Sequence, residues 1–332
     1  MLFTIIGVGV FAYGIIYTIL VCLADCDLQL AFFERFGKKI RNLKGKVVFI
    51  TGASSGIGEG TALALAKNGV KLVLAARRLA ELERVKQKCL EISNGLLTSE
   101  DVLILQMDML DIKSHQKYFD LAVQHFGNVD ILFNNAGRSQ RATWENIELD
   151  IHKQLFELNV FSVVNLTSIA VRYFNSKGSG HVAVTSSLAG VVGVPFSGSY
   201  TGSKHAIHGF FNSLRTEKTG KNLTVSIICP GPVFTNFLSE SFTETVGKKY
   251  GISAKPTDRR LTMERCGELC AITLANQLDE SWMALFPLIP FTYTAVYFPL
   301  IFKTTLKIVG VNTLFKLRDS SDIQLMTEAK KN

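Results

Sequence analysis

Ser187, Tyr200 and Lys204 stand within one short stretch, SLAGVVGVPFSGSYTGSK, and together they could move a proton. Residues four apart on a helix share a face, so the Lys204 ammonium would sit one turn from the Tyr200 phenol. A free tyrosine titrates at about 10. A fixed cation beside it favours the phenolate and lowers that value. A proton donor works best when its pKa approaches the ambient pH. Ser187 precedes Tyr200 by thirteen residues. That is room for a loop from a strand end into a helix, which would bring two hydroxyls to one substrate oxygen. Taken alone, Tyr-x-x-x-Lys is also the aromatic–cation face of any helix. Its meaning depends on what lies nearby.

Elements able to carry these residues are visible on either side. KVVFI (46–50), KLVLAA (71–76), DVLILQMD (101–108), VDILFNN (129–135), HVAVTSS (181–187) and LTVSIICPG (223–231) read as strands. Helical stretches run to about Asn68, from Leu79 to Ile92, from Ile112 to Phe126, and over 150–175, 199–219 and 262–278. Strands alternating with helices imply βαβ units and a parallel sheet. Apolar runs such as VVFI and VSII fit strands covered on both faces. The expected fold is α/β: a single Rossmann-like, doubly wound parallel sheet with helices on both faces, in one catalytic domain over 44–286. In such a fold ligands bind at the C-terminal ends of the strands.

Those ends carry a consistent set of residues. TGASSGIGEG (51–60) puts Gly52, Gly56 and Gly58 in a turn that opens directly into a helix. Without Cβ atoms the backbone can approach a pyrophosphate, whose charge meets the helix N-terminus. A plain tight turn is the alternative, since the spacing is not the usual Gly-x-Gly-x-x-Gly. The second strand ends in Ala75-Ala76-Arg77-Arg78. An NAD site wants a carboxylate there for the ribose 2′-hydroxyl, whereas guanidiniums suit the 2′-phosphate of NADP(H). Two solvated arginines opening a helix would look the same. Asp108 ends the third strand, Asn134-Asn135-Ala136-Gly137 the fourth, and CPGPVFT follows the last. Each is an ordinary loop signal by itself.

In this order and spacing, TGASSGIG, NNAG, Ser187 with Tyr-x-x-x-Lys, and PGPVFT resemble the short-chain dehydrogenase/reductases, over roughly residues 44–286. The resemblance implies about seven strands in the order 3-2-1-4-5-6-7, around a nicotinamide site. It assigns Tyr200 as proton donor and Lys204 as holder of the nicotinamide ribose. Ser187 would polarise the carbonyl, and Asn159, in LFELNVF, would support a water relay to Lys204. Thr51, Gly52, Ser54, Ser55, Gly56, Ile57 and Gly58 would line the phosphates. Asp108 would meet the adenine, Asn135, Ala136 and Gly137 the adenosine ribose, and Thr235 the carboxamide. Association into a homodimer or homotetramer through the 150–175 and 199–219 helices is implied by the resemblance alone. One departure is Gly202, where the family often has a somewhat larger residue; glycine inside a helix costs about 1 kcal/mol.

Composition narrows the partners. The 332 residues carry a net charge of +8 and a mean hydropathy of +0.23, and no five basic residues run together. Scattered Lys and Arg argue against nucleic acid and fit an anionic lipid surface or a phosphorylated ligand. Six cysteines without a Cys-x-x-Cys pair read as reduced and packed, and six histidines without a cluster imply no metal.

The apolar excess sits at the ends. Leu2 to Ala24 has no charged residue, which is long enough to cross a bilayer as an anchor over 1–24. A cleaved signal peptide, ending near Cys22-Leu23-Ala24, is the alternative. Residues 25–43 read as a basic linker. Its lysines and arginines favour a cytosolic domain, but Asp25 and Asp27 lie closest to the membrane, and the sequons at Asn165 and Asn222 leave the side open. Residues 287–332 read as an apolar flap with a polar tail. Within MALFPLIPFTYTAVYFPLIF (283–302), Pro287, Pro290 and Pro299 argue against a straight spanning helix. A flap over the cleft, a second membrane contact, or a last core strand with packed loops would each account for it.

The functional expectation is a membrane-associated, NADPH-dependent reductase of a lipophilic carbonyl (steroid, retinoid or other lipid), in the endoplasmic reticulum membrane. An alcohol dehydrogenase running in the oxidative direction competes with it. So does a non-catalytic nucleotide-binding scaffold, since fold alone does not imply function.

Overall fold

The computed structural model describes residues 2–318. Seven strands form one sheet: β1 (Val47–Thr51), β2 (Lys71–Ala76), β3 (Val102–Gln106), β4 (Ile131–Asn134), β5 (Gly180–Thr185), β6 (Leu223–Pro230) and β7 (Glu280–Met283). Their order is β3-β2-β1-β4-β5-β6-β7, and every named pairing is parallel. All five residues of β1 are buried, because helices cover both faces of the sheet. The strand order reverses between β1 and β4, the switch point where a crevice opens.

The helices are α1 (Leu2–Leu23), α2 (Leu28–Phe36), α3 (Gly56–Ala66), α4 (Leu79–Ile92), α5 (His115–Phe126), α6 (Leu149–Phe156), α7 (Ser162–Lys177), α8 (Gly198–Glu217), α9 (Met263–Asn276), α10 (Leu288–Tyr297) and α11 (Pro299–Arg318). A π-turn over Glu157–Phe161 joins α6 to α7. One apolar cluster gathers α3, α4 and α9 on β1 and β2; a second gathers α5, α7 and α8 on the other face. All six cysteines are free, and all but Cys22 are buried.

The 25–43 segment is not a loose linker. Asp27 caps α2, accepting from Leu30 N at 2.9 Å, and its other oxygen accepts from Trp282 N at 2.6 Å. Cys26 pairs antiparallel with Met283, so the segment covers the β7 edge. Arg265 on α9 grips both Asp25 (2.8 Å) and Glu34 (2.6 Å). The basic residues suggest a linker, but the acids ahead of them, Asp25, Asp27 and Glu34, dock the segment.

The prolines act as expected. Pro290 lies in the first turn of α10 and Pro299 opens α11, positions that need no amide donor. The uncharged 283–302 stretch therefore bends into two helices. The polar tail beyond 318 lies outside the described residues.

Candidate active site

The turn after β1 is shaped by its glycines. Gly52 and Gly56 have φ of +65° and +61°, which suit glycine. A Cβ on Gly52 would lie 2.9 Å from the Ala136 Cα, so the β1 and β4 ends close on each other there. Thr51 holds that closure: its Oγ1 accepts from the Asn135 and Ala136 amides at 2.9 and 3.0 Å. Asn135 completes it, donating to Thr51 O at 3.1 Å and accepting from Thr185 Oγ1 at 3.1 Å.

A cavity of about 630 Å³ lies above these ends. Gly52, Ser54, Ser55, Gly56, Ile57, Arg77, Arg78, Asp108, Asn135, Ala136, Gly137, Ser187, Tyr200, Lys204 and Thr235 all line it. Of the expected residues, Thr51, Gly58 and Asn159 do not. Thr51 is fully buried beneath the turn. Gly58 lets α3 pack on that turn, since a Cβ would meet Gly52 O at 2.5 Å. Asn159 is buried behind the cavity.

The site fits a nicotinamide dinucleotide. Ser55 precedes α3 without capping it; its hydroxyl instead accepts from Arg78 Nη2 at 2.9 Å, as Ser54 Oγ does at 3.1 Å. The first amides of α3 are thus left for an anion. Arg77 and Arg78 are exposed at the mouth, and the Thr235 methyl approaches Gly56, with 3.1 Å to a Cβ built there. Gly52, Ser54, Ser55, Gly56 and Ile57 would hold the phosphates, Asp108 the adenine end, and Thr235, Tyr200 and Lys204 the nicotinamide half.

The chemical cluster sits where β5 and α8 meet. Lys204, in the second turn of α8, is buried, and its Nζ donates to Thr185 O at 2.7 Å. Burial pushes it down to about 8. Its ammonium therefore persists at neutral pH and is lost as pH rises through that value. Nζ lies 5.8 Å from the centre of the Tyr200 ring. Tyr200 is 7% exposed, edge-on to Phe237 at 6.0 Å. Ser187 accepts from Ala189 N at 3.1 Å and donates to Pro230 O at 3.2 Å, so its hydroxyl can turn toward a ligand.

Asn159 is fixed by its side chain. It lies in the π-turn, and such turns often mark functional sites. Oδ1 accepts from Arg138 N at 2.9 Å, while Nδ2 donates to Arg138 O at 2.9 Å and Ser203 Oγ at 3.0 Å. Both amide hydrogens are used. The side chain thus ties the β4 loop to α8, and a water relay would fall to its main chain.

Some of the site was not read from sequence. Ser203 passes the Asn159 bond on to Tyr200 O at 2.8 Å. Its signal was helical phase, since Tyr200, Ser203, Lys204 and Ile207 form one buried stripe. The loop after β6 pairs with the β4 loop, Phe242 N donating to Ser139 O at 2.9 Å. Arg138 lies over Phe242 at 4.7 Å and reaches Glu240 at 3.6 Å. Burial, then the Arg77 charge, lowers the Arg138 pKa. Leu288, Phe291, Thr292, Phe302 and Leu306 supply an apolar wall from α10 and α11.

Comparison with known proteins agrees with this geometry. The model of the short chain dehydrogenase family matches residues 46–245. Human dehydrogenase/reductase SDR family member 7 is 42% identical over 278 residues, 83% of this chain and 81% of that one. A Drosophila melanogaster SDR family protein 7-like sequence is 34% identical over 77% of this chain and 78% of its own. An alcohol dehydrogenase of the archaeon Thermococcus sibiricus, solved with 5-hydroxy-NADP, superposes with a TM-score of 0.62 at 24% identity, covering 73% of this chain and 97% of that one. The chain belongs to the short-chain dehydrogenase/reductase family and is an oxidoreductase.

Proposed function

We propose that the chain is a membrane-associated, NADPH-dependent reductase that converts the carbonyl of a lipophilic substrate to the alcohol. The substrate class is a steroid, retinoid or other lipid or xenobiotic ketone or aldehyde. One observation carries the reading: a single cavity joins Arg77 and Arg78, at the β2 end, to Tyr200 and Ser187, and then to the apolar wall of α10 and α11 beyond β7.

Bound NADPH would supply the hydride. Arg77 and Arg78 would receive the 2′-phosphate. Ser187 would turn its hydroxyl from Pro230 O to the substrate oxygen and polarise the carbonyl. Tyr200 would give that oxygen its proton. Lys204, a desolvated cation, would stabilise the phenolate left behind. The residues of α10 and α11 would exclude water and seat an apolar body. Anchoring through α1, in the endoplasmic reticulum membrane, belongs to the same reading. So does association into a homodimer or homotetramer through the 150–175 and 199–219 helices, where Phe161 in the π-turn and Phe210 on α8 are each 47% exposed.

The test is turnover by membranes carrying the full chain, with NADPH and with NADH, on steroid, retinal and quinone-like carbonyls. Tyr200→Phe should cut kcat by about 100-fold or more while NADPH still binds. NADPH turnover that survives Tyr200→Phe would overturn the mechanism. Preference for NADH would overturn the cofactor assignment.

A further inference from the structure

Although α1 is long and apolar enough to cross a membrane, one face near its C-terminus packs on the domain through Tyr17 and Val21. Val21 is buried in the same cluster as Trp282 and Ile289. The Tyr17 ring meets Tyr293 edge-on at 6.2 Å; Tyr293 in turn meets Trp282 at 5.2 Å and Tyr297 at 5.8 Å. Leu28 N donates to the Tyr293 hydroxyl at 3.0 Å. Just past α1, Arg265 clamps Asp25 and Glu34. The helix is held at a set place beside α10.

That contact sets a depth. At 1.5 Å per residue, Tyr17 lies about 9 Å from Leu23 along the α1 axis. No charge interrupts Leu2 to Ala24. If this stretch fills a hydrocarbon core about 30 Å thick, Tyr17 reaches the headgroup boundary or deeper. Tyr293 and Tyr297 go with it.

From Tyr297 the chain turns the corner between α10 and α11. Val296, Tyr297, Phe298, Leu300 and Ile301 are 40%, 63%, 58%, 78% and 58% exposed, with Pro299 exposed among them. Six consecutive exposed apolar residues are a large apolar feature to leave in water. Lys303 and Lys307 follow, both exposed and one turn apart on α11.

We propose that the α10–α11 corner, residues 296–301, inserts into the lipid leaflet next to the domain, the one that α1 enters first from its Leu23 end, with Lys303 and Lys307 at the headgroup phosphates. This rests on the reading of α1 as a membrane anchor. Apolar exposure, continuity with the α1 surface and lysines at the rim all fit a bilayer. The cavity wall of Phe291, Phe302 and Leu306 then abuts acyl chains, and an apolar substrate can reach Tyr200 without crossing water.

The test uses the full chain in phosphatidylcholine vesicles with brominated acyl chains, which quench tryptophan on contact. Leu300→Trp and Phe298→Trp place reporters on the corner. Leu96→Trp, 47% exposed just before β3 and thus away from the cavity, is the control. The expected result is that roughly half or more of the added emission is quenched at 298 and 300, and none at 96. Equal, weak quenching at all three positions would overturn the proposal. So would a corner reporter shielded from water, unquenched by lipid, in a chain that sediments as a dimer; a second copy would then cover the corner. Vesicle flotation and Tyr200-dependent turnover are measured on the same samples. Flotation and turnover without quenching refute the corner alone. Failure to float refutes the anchor and the corner together, while turnover reports separately on the reductase.

Discussion

Arg77 and Arg78 do different work, and replacing them one at a time should separate two effects. Both line the cavity, and Arg78 braces it: its Nη2 donates to Ser54 Oγ at 3.1 Å and Ser55 Oγ at 2.9 Å. Those serines belong to the turn that would hold the pyrophosphate of either cofactor. Arg77 is exposed beside it, and under the proposed reading it would meet the 2′-phosphate that only NADP(H) carries. A hydrogen bond to a charged group is worth about 1.5–3 kcal/mol. Solvent screening at an exposed site favours the lower half of that range. Arg77→Ala should therefore raise KM for NADPH by about 10- to 40-fold. KM for NADH should change by less than about twofold, since no contact with it is lost. Arg78→Ala should raise KM for NADPH similarly. It should also raise KM for NADH by roughly two- to fivefold, because two neutral-acceptor bonds bracing the turn are lost. The assay is initial rate against each cofactor at saturating carbonyl, at low and at physiological salt. The NADPH effect should shrink with salt, and the NADH effect should not. The reasoning fails if Arg77→Ala shifts both constants equally, or if Arg78→Ala leaves the NADH constant untouched.

Two other changes bear on stability. Gly202→Ala should stabilise the fold, because a Cβ there meets only Phe156 at 3.8 Å, an ordinary contact. Relief of helical glycine is worth up to about 1 kcal/mol, a rise in Tm of roughly 1–3 °C, read by thermal unfolding of the solubilised chain. A fall in Tm would show that Phe156 cannot accommodate the methyl. His181 should make the fold acid-sensitive. It is buried, with Nε2 on Ser226 Oγ at 2.8 Å and no partner for Nδ1, and burial holds it at about 4. Its effect is nil above the unfolded value of about 6.5; as pH falls from there toward about 4, the unfolded chain takes up a proton that the folded chain refuses, and stability drops. Tm followed from about pH 7.5 to about pH 5 should fall less steeply in His181→Gln. Equal slopes would mean that the ring is protonated in the fold.

What could be read from the sequence was what acts through near neighbours. Tyr200 and Lys204 announce themselves at one helical turn, the β1 turn by its glycines, and Arg77 and Arg78 by their place after an apolar run. Six strands were legible because their apolar runs are continuous. The seventh, Glu280–Met283, is short and half polar; it was reached only through the family resemblance. Its polar residues have partners, Ser281 Oγ with Thr273 Oγ1 at 3.0 Å and Glu280 with the Trp282 indole at 2.6 Å. The holding roles depend on partners far along the chain. Thr51 passed for a phosphate ligand because it adjoins the glycine turn, but its hydroxyl serves amides 84 and 85 residues away. Asn159 and Arg138 are 21 residues apart, and Asp25 meets Arg265 across 240. No spacing rule reaches that distance. The residues that could do chemistry are thus local in sequence, while the residues that hold them in place are brought together only by the sheet. A change at Thr51, Asn159 or Ser203 should consequently disturb catalysis through the position of Gly137 and Tyr200, without removing any group that touches the substrate.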